Sequence, residues 1–427
     1  MAEAVMMKTS DVIFRSDLYP RIKHDPRLVQ QYVEDIDLLP PIEVNQNKEL
    51  IDGWHRWTAY KTEERAEIPI KVTETKSDLE LRAFAIMRNA THGLKLTPED
   101  KMREARILYN NGVGIPQSDI AGILSISDKT VTRYLKEVND KLKEERREKI
   151  FEMWMRCDTQ EEIAAAVGMD QSVIAREIKE LCEIDKCPKS IKLHALFQDE
   201  KFQAPIYNIW SFKALSNEVH HNGNSEQGIL DNLLYLYTEP FDIVVDPFAG
   251  GGSTIDVCKK RLRRYWASDR KPIEARANEI RKLDILDGVP PLAKRWSEVT
   301  LTYLDPPYWK QMEGKYSKDS EDLANQPLDV FTSNLTNFIN EVGTSQHQGV
   351  IAMLMQPTQW NAPNHEFTDH IIDIVKGVSV KKLKLINRVS CPYSTQQCNA
   401  KMVEIAKKER MLLALTRELV IWKCLEK

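Results

Sequence analysis

FDIVVDPFAGGGSTIDVCKK, residues 241–260, is the segment from which the architecture of the larger part of the chain can be predicted. Its apolar run predicts a buried strand that ends in Asp246, and a turn with glycines at 250, 251 and 252 then opens a helix. Glycines let the backbone come close to a ligand, and the first N–H groups of a helix have no partner within it. The segment therefore predicts a binding loop for a small polar ligand.

A strand, a glycine turn and a helix are weak evidence on their own, because several nucleotide-binding folds use the same device. The turn has no lysine of a phosphate-binding loop and does not have the spacing of the dinucleotide fingerprint. A phosphate group is therefore not the obvious ligand of this loop.

Two carboxylates follow the loop at the ends of the next predicted elements. Asp269 closes a strand about 20 residues on, where doubly wound folds place a carboxylate against ribose hydroxyls. Asp284 closes the element after it and suits the base of the same ligand. Each could be a plain surface carboxylate, but their order favours a binding role.

A second informative segment is VTLTYLDPPYW, residues 299–309. Its apolar run predicts a buried strand that ends in Asp305, Pro306, Pro307 and Tyr308. Two successive prolines cannot continue a strand ladder, so they fix an extended turn at the carboxyl end of the sheet, where α/β folds bind ligands. The segment thus presents a carboxylate and carbonyl groups rigidly.

Strands alternate with helices throughout this part of the chain, which predicts an α/β fold with a largely parallel, doubly wound Rossmann-like sheet. Before it, short apolar runs around turns predict a small α+β unit, and a long stretch with helical periodicity predicts an all-α region. The expected divisions are residues 1–92 (α+β), 93–182 (helical), 183–205 (linker) and 206–427 (Rossmann-like).

The helical region contains an internal repeat, because residues 118–136 match residues 161–179 at a constant offset of 43. A small residue in a first helix, a short turn and an N-cap opening a second helix are typical of helix-turn-helix units. The second helix of each would enter the major groove of DNA. Its candidate DNA-binding residues are Asp128, Lys129, Thr130, Thr132 and Arg133 in the first unit, and Gln171, Ser172 and Arg176 in the second. A bundle that only packs is the alternative, and acidic surroundings make it stronger for the second unit.

With these motifs in place, the chain resembles the amino-methyltransferases of DNA, which modify N6 of adenine or N4 of cytosine. DPFAGGG looks like motif I of that family and DPPY like motif IV, while YNIWSF, residues 207–212, resembles the segment before motif I that contacts the methionine part of the cofactor. The resemblance implies S-adenosyl-L-methionine as cofactor and no metal. The implied cofactor-binding residues are Asn208, Trp210, Ser211, Phe212, Asp246, Pro247, Phe248, Ala249, Gly250, Gly252, Asp269 and Asp284.

The same resemblance implies a catalytic set of Asp305, Pro306, Pro307 and Tyr308. The Asp305 carboxylate and the Pro306 carbonyl would accept the two hydrogens of an exocyclic amine, and Tyr308 would stack on a base flipped out of the duplex. N6 of adenine is the expected target and N4 of cytosine the alternative. RNA is a third possible substrate, disfavoured because helix-turn-helix units suit the major groove of B-form DNA.

The N-terminal region is similar to the ParB/sulfiredoxin-like fold, and LIDGWHRWTAY, residues 50–60, lies where ParB-type partition proteins carry a Gly-Glu-Arg-Arg nucleotide-binding motif. Here Trp54 and His55 replace the acidic and basic pair, which puts nucleotide binding in doubt, although Gly53, His55 and Arg56 could contact a phosphate. The resemblance implies binding to double-stranded DNA and a homodimer through the N-terminal half. A ParB-like binding or partition protein with a non-catalytic methyltransferase domain is therefore the second class of function.

The composition limits the classes of protein that fit these predictions. A net charge of −4 argues against a protein that binds nucleic acid over its whole surface, so DNA contact must come from particular faces. No apolar run reaches the roughly 20 residues of a membrane span, and the first ten residues lack the layout of a secretory signal. Seven scattered cysteines do not form a disulfide framework. We expect a cytoplasmic protein of a prokaryotic cell or phage that works at the nucleoid.

Overall fold

The computed structural model describes residues 5–20, 25–91, 96–212, 226–315, 318–358, 367–393 and 400–425. The chain divides into two compact units, residues 1–146 and residues 147–427. The division falls within one long helix, α6 (Asp128–Met155). The divisions expected from the sequence lie instead at residues 92, 182 and 205, so the second half of the repeat belongs to the same compact unit as the Rossmann-like region.

A small mixed sheet forms the first part of unit 1, with strands β1 (Val5–Lys8), β2 (Ile42–Val44), β3 (Leu50–Asp52) and β4 (Glu67–Val72) in the order β1-β4-β2-β3. Strand β4 runs antiparallel to β1 and parallel to β2. Ile68 and Ile70 alternate with polar residues in β4 and are buried, as the period of two in a half-buried strand requires. This is the α+β unit that the sequence predicts.

The helices of unit 1 are α1 (Pro26–Glu34), α2 (Trp54–Thr62), α3 (Asp78–Thr91), α4 (Pro98–Tyr109), α5 (Gln117–Leu124) and the start of α6. Helices α5 and α6 form the first helix-turn-helix, whose apolar positions Ile120, Leu124 and Val131 are completely buried. Helix α5 ends at Ser125 with a φ of 50°, a left-handed turn that directs the chain into α6. The predicted helical region is therefore confirmed.

The same turn recurs 43 residues later, at the start of unit 2. Helix α7 (Gln160–Val167) ends at Gly168 with a φ of 66°, and α8 (Gln171–Leu181) follows. Helix α7 begins with a capping box in which Thr159 and Glu162 bond each other's backbone N–H groups. Ile163 and Ile174 are buried between the two helices. The two halves of the repeat thus share both their buried positions and their turn.

Among the described residues, seven strands of unit 2 form one sheet in the order β10-β11-β9-β8-β5-β6-β7. Six of them run in one direction, and only β11, between β9 and β10, runs antiparallel to the other described strands of this sheet. The strands are β5 (Ile243–Asp246), β6 (Arg264–Asp269), β7 (Ile280–Lys282), β8 (Val299–Leu304), β9 (Val350–Met355), β10 (Leu383–Pro392) and β11 (Thr416–Cys424).

Helices cover both faces of this sheet, because its strands bury side chains on both sides. In β5, Ile243 and Val245 join one apolar cluster, while Val244 joins the cluster on the opposite face. The covering helices are α10 (Gln227–Tyr237) and α11 (Ser253–Lys260) on one face, and α12 (Leu328–Ser345) and α13 (His370–Gly377) on the other. Helix α14 (Ala400–Glu409) precedes β11. The predicted Rossmann-like α/β class is confirmed.

The segment 183–205, predicted as a linker, contains helix α9 (Lys189–Ala195). Arg261 donates to the carbonyl of His194 over 2.8 Å and pairs with the carboxylate of Asp199. Sequence periodicity could not show this packing, because its partner lies some 60 residues away in the chain. The segment is therefore part of the packed unit. In a search of the described residues, no helix has the length and apolarity that crossing a membrane requires.

Candidate functional site

Three neighbouring parallel strands end beside one cavity of about 590 Å³. In the order β8-β5-β6, these strands end at or just before Asp305, Asp246 and Asp269. The carboxyl ends of parallel strands meet at one edge of a sheet, so separate sequence segments contribute to one site. The cavity is lined by Glu226, Gln227, Leu230, residues 246–251, Ser253, Thr254, residues 269–271, residues 283–285, Tyr303, Asp305, Pro307, Lys315 and residues 321–323.

The glycine loop has the tight conformation that its sequence predicts. Gly250 and Gly252 have φ angles of 49° and 86°, which residues other than glycine rarely adopt. A Cβ on Gly252 would also lie 3.0 Å from Nε of Arg276, which is itself held by Asp256. Helix α11 begins directly after this residue, so its first N–H groups lie at the loop.

The side chain of Asp246 bonds to the glycine loop and to helix α11, and the residue is 3% exposed. One carboxylate oxygen accepts from the N–H of Phe248 over 2.8 Å, and the other accepts from the hydroxyl of Thr254 over 2.5 Å. Burial raises the pKa of this carboxyl to about 7, although the two hydrogen bonds oppose the rise. Pro247, Phe248 and Ala249 follow it along the cavity wall.

Asp269 and Asp284 line the same cavity. Asp269 accepts from the N–H of Gly250 over 3.0 Å, which ties the end of β6 to the glycine loop. Asp284 accepts from the N–H of Leu286 and pairs with Nε of Arg270 over 2.9 Å. Sequence reasoning missed Arg270, since one arginine after a strand gives no recognisable signal.

The turn after β8 places Asp305 and Pro307 on the cavity wall, with Pro306 buried behind them. The hydroxyl of Tyr308 donates to Oδ1 of Asp305 over 3.3 Å, and burial raises the pKa of this tyrosine well above its ordinary value. Trp309 is a core residue whose indole N–H donates to the carbonyl of Gln326. Asp305 and the loop residue Gly250 therefore share one cavity.

The segment 207–212 lies beside β10. Trp210 donates its N–H to the carbonyl of Ser390, and the N–H of Ser390 donates to the carbonyl of Asn208. Trp210 is buried in the apolar core, Asn208 and Ser211 are exposed, and the ring of Phe212 contacts helix α10 at Gly228. Within the described residues, these predicted cofactor-binding positions do not line the cavity, whose wall on this side is formed by Glu226, Gln227 and Leu230.

A buried ion pair between Arg417 of β11 and Glu226 lies at the same edge of the sheet. The guanidinium of Arg417 also lies 4.3 Å from the ring centroid of Tyr393. Sequence analysis did not find this arginine, because TRELVIW looks like an ordinary strand at the edge of the fold. The one available signal was the charged pair Arg417 and Glu418 before the apolar run LVIW.

In the first helix-turn-helix, Lys129, Thr132 and Arg133 are exposed on the opening turns of α6. Thr132 accepts from the side-chain amide of Gln117 over 2.6 Å, which links the two helices. Thr130 is half-buried, and its N–H donates to the hydroxyl of Ser127 at the start of the helix. The predicted residues therefore form one polar, basic face.

In the second helix-turn-helix, Ser172 and Arg176 are exposed, but the surroundings are acidic. The side-chain amide of Gln171 donates to Glu161 over 2.8 Å. Glu177 and Glu180 lie 3.5 and 3.7 Å from the guanidinium of Arg147. The predicted residues of this unit therefore share their face with carboxylates.

The polar side chains of residues 50–60 contact other residues of unit 1. Gly53 has a φ of 100° and caps helix α2. Arg56 pairs with Asp52 over 2.7 Å and donates to the carbonyls of Pro40 and Pro41. Nε2 of His55 accepts from the N–H of Asp25 over 3.2 Å. Their contacts within the unit account for these residues without a phosphate. A search of the described residues finds no cluster of His, Cys, Asp and Glu suited to a metal ion.

Residues 115–277 match a family model for N6/N4 methyltransferases, described as DNA methylase. This segment is therefore similar to DNA methylases. The match spans the helix-turn-helix repeat, the glycine loop and Asp269, and it ends before Asp305. The predicted resemblance to a DNA amino-methyltransferase is confirmed, and the methylase segment holds one wall of the cavity.

Solved structures give more distant matches. One is the C-terminally truncated chromosome-partitioning protein ParB from Caulobacter crescentus complexed to the centromeric parS site, with 17% identity, 41% of this chain and 91% of that chain covered, and a TM-score of 0.25. Another is a Pnob8-like ParB-N domain, with 13% identity, 46% and 90% covered, and a TM-score of 0.23. A search of curated proteins gives no match.

Proposed function

We propose that the chain is a DNA methyltransferase that uses S-adenosyl-L-methionine and methylates N6 of adenine in double-stranded DNA. One observation supports this most directly: the glycine loop and Asp305 line a single cavity. A methyl donor and an acceptor amine must lie next to each other, because the transfer is a direct displacement. The match of residues 115–277 to DNA methylases agrees with this reaction.

The cavity suits the cofactor in size and in the chemistry of its walls. Its volume of about 590 Å³ lies within the range of small-molecule sites, roughly 300–1,000 Å³. Asp269 would hold the ribose hydroxyls, Asp284 the base, and the backbone of residues 247–252 the centre of the molecule. When bound, the cofactor supplies an electrophilic methyl group on a sulfonium.

The residues after β8 would act on the target amine. An exocyclic amine of adenine is a poor nucleophile, because its lone pair is conjugated with the ring. The Asp305 carboxylate and the Pro306 carbonyl would accept its two hydrogens and turn the lone pair toward the methyl group. Tyr308 would stack on the base, which must leave the duplex at a cost of a few kcal/mol.

DNA would be bound chiefly by the first helix-turn-helix, through Lys129, Thr132 and Arg133. These residues lie on the exposed face of the opening turns of α6, where recognition helices carry their DNA-contacting residues. We further propose that residues 1–146 form the DNA-reading part, that this part mediates homodimer formation, and that the protein works at the nucleoid of a prokaryotic cell or phage host.

Methylation of N4 of cytosine is the second candidate, since the same acceptor groups suit either amine. Mass spectrometry of nucleosides from treated DNA separates the two products. We expect N6-methyladenine, and N4-methylcytosine as the sole product would overturn the preference for adenine.

The Asp305→Ala variant tests the reaction itself. Removing the carboxylate that orients the amine should lower methyl transfer to DNA by at least about a hundredfold. Calorimetric affinity for S-adenosyl-L-methionine should stay within about threefold, because the glycine loop is unchanged. A variant that keeps appreciable turnover would contradict the role of Asp305, and a wild-type chain that binds no S-adenosyl-L-methionine would refute the proposed function.

A further inference from the structure

Arg417 is a buried charge at the edge of the sheet where the cavity lies. It is the second residue of β11, which starts beside the end of β9, and it is 2% exposed. A charge inside a strand of a packed sheet costs desolvation energy unless partners compensate it. Its partner is Glu226, which is 8% exposed, lines the cavity and lies 191 residues away in sequence.

The strand register brings the guanidinium of Arg417 next to the ring of Tyr393. Cys391 of β10 faces Arg417, and Tyr393 lies two residues further along on the same face. The guanidinium lies 4.3 Å from the centroid of the Tyr393 ring, within the range of a cation–π interaction. The backbone N–H of Tyr393 is held by the carbonyl of Leu415, across the same pair of strands.

The hydroxyl of Tyr393 continues this contact toward the site. It donates to Oε1 of Gln356 over 2.6 Å, and the amide of Gln356 donates in turn to the carbonyl of Ala414. Tyr308, which donates to Asp305 over 3.3 Å, lies close enough to Tyr393 and Arg417 to interact with both electrostatically. Arg417, Tyr393 and Tyr308 therefore form one group next to the carboxylate proposed to hold the amine.

Arg417 stays charged in this environment. Burial by itself would lower the pKa of its guanidinium, but the neighbouring Tyr308 and Glu226 raise it above the ordinary value. A lone guanidinium at this place would repel the positive charge that methyl transfer brings to the amine. Pairing with Glu226 removes that repulsion while the planar group still supports the tyrosine.

We propose that Arg417 is a positioning residue for methyl transfer, which holds Tyr393, and through it Tyr308 and Asp305, in the arrangement that receives the target amine. The inference rests on the proposed function. It assigns Arg417 an effect on the chemical step and none on cofactor affinity, and it assigns Glu226 the neutralisation of the buried charge.

The experiment compares Arg417→Gln, Arg417→Lys and the double variant Glu226→Gln/Arg417→Gln in the full chain. Turnover is measured as tritiated methyl incorporation into plasmid DNA, affinity by calorimetry with S-adenosylhomocysteine, and stability by thermal unfolding. The single Gln variant leaves a buried carboxylate without its partner and should lose stability, whereas the double variant should recover much of it. The double and Lys variants should keep Kd within about twofold and lose about tenfold to a hundredfold in kcat, since small misplacements have effects of that size.

The double variant Arg264→Gln/Glu298→Gln is the matched control. Arg264 is also a buried arginine with an acidic partner, but it starts β6, at the opposite edge of the sheet. Like the Glu226/Arg417 double variant, this control should keep much of its stability, but its kcat should stay within about twofold of wild type. If the Glu226/Arg417 double variant or the Lys variant turns over at the wild-type rate, Arg417 is structural and the inference fails. No transfer by the wild-type chain would instead overturn the proposed function, and the inference with it.

Discussion

The two helix-turn-helix units share one sequence pattern and one turn, yet their surroundings differ. Arg133 and Arg176 occupy equivalent positions, 43 residues apart, and both are exposed. The neighbouring Lys136 and Glu137 also have equivalents in the second copy, Lys179 and Glu180. The copies differ where the exposed Lys129 corresponds to Ser172 and where Tyr134 corresponds to Glu177. Around Arg176 the nearby side chains include Glu177 and Glu180, which lie next to Arg147. A repeat therefore predicts a shared shape, while the charges between its fixed positions decide whether that shape suits DNA.

The second unit has a different set of partners, because the chain before it packs into the large sheet of unit 2. Met155 and Cys157 are buried in the two apolar clusters of that sheet. Arg281, at the edge strand β7, donates to the carbonyl of Arg156 and pairs with Asp158 over 2.9 Å. We infer that the segment leading into this copy anchors it on the sheet of unit 2, whereas the first copy carries the proposed DNA-binding face.

The largest effect is expected from cutting the chain on either side of the second copy. A fragment of residues 147–427 keeps Met155, Cys157 and the partners of Arg281, and it should fold and bind S-adenosyl-L-methionine. A fragment of residues 191–427 loses all of them. Each buried apolar side chain contributes about 1.5–3 kcal/mol, against a total stability of about 5–15 kcal/mol, so this fragment should be largely unfolded.

Circular dichroism and calorimetry on the two fragments check this expectation. DNA affinity of the 147–427 fragment should fall by at least about a hundredfold, because the proposed DNA-binding residues of the first helix-turn-helix are gone. Equal stability of the two fragments would show that the segment leading into the second copy is not anchored on the sheet. Unchanged DNA selectivity in the longer fragment would show that the reading face lies in unit 2.

The two units also bury carboxylates in opposite ways. In unit 1, burial tends to raise the pKa of Glu43, but hydrogen bonds from Arg88 and Thr73 outweigh burial and leave that pKa below its ordinary value. In unit 2, burial dominates for Asp246 and raises its pKa from 3.8 to about 7. The signs of their pH dependence must therefore be opposite.

For Asp246, the folded state binds the proton more tightly, so its stabilising contribution is complete below about pH 4 and is lost as the pH rises through about 7. Relative to Asp246→Asn, the free energy of unfolding of the wild type should fall by about 2–4 kcal/mol between pH 4 and pH 7.5. Relative to Glu43→Gln, the free energy of unfolding of the wild type should instead fall as the pH decreases below the ordinary glutamate pKa of 4.5. Urea unfolding from pH 7.5 down to values below pH 4 measures both, and parallel slopes would contradict the comparison.

Local patterns predicted most of the fold, because the decisive signals are short. The apolar run before Asp246, the glycines after it and the paired prolines after Asp305 each specify a local structure without long-range information. Parallel strands end at one edge of a sheet, so the meeting of Asp246, Asp269 and Asp305 at one cavity followed from topology alone.

Contacts between distant segments could not be predicted in this way. The ion pair of Arg417 and Glu226 joins residues 191 positions apart, and neither residue has a motif around it. Helix α9 lies in a segment predicted as a linker, because its packing partner Arg261 is distant in sequence and leaves no local signal. The packing of Cys157 against the sheet could not be predicted for the same reason, since a single cysteine after a helix gives no sequence signal.

The smallest effect, and the most direct test of the repeat, comes from reversing the two equivalent arginines. Arg133→Glu should weaken binding to duplex DNA by about 1–3 kcal/mol and reduce the salt dependence of binding, because it removes a cation from the proposed DNA face and adds an anion. Arg176→Glu should change the affinity by less than about 0.5 kcal/mol, since its helix already carries carboxylates. Fluorescence anisotropy with a DNA duplex at several salt concentrations measures both. Equal losses would mean that both copies touch DNA, and a larger loss for Arg176→Glu would place the DNA-binding face on the second copy.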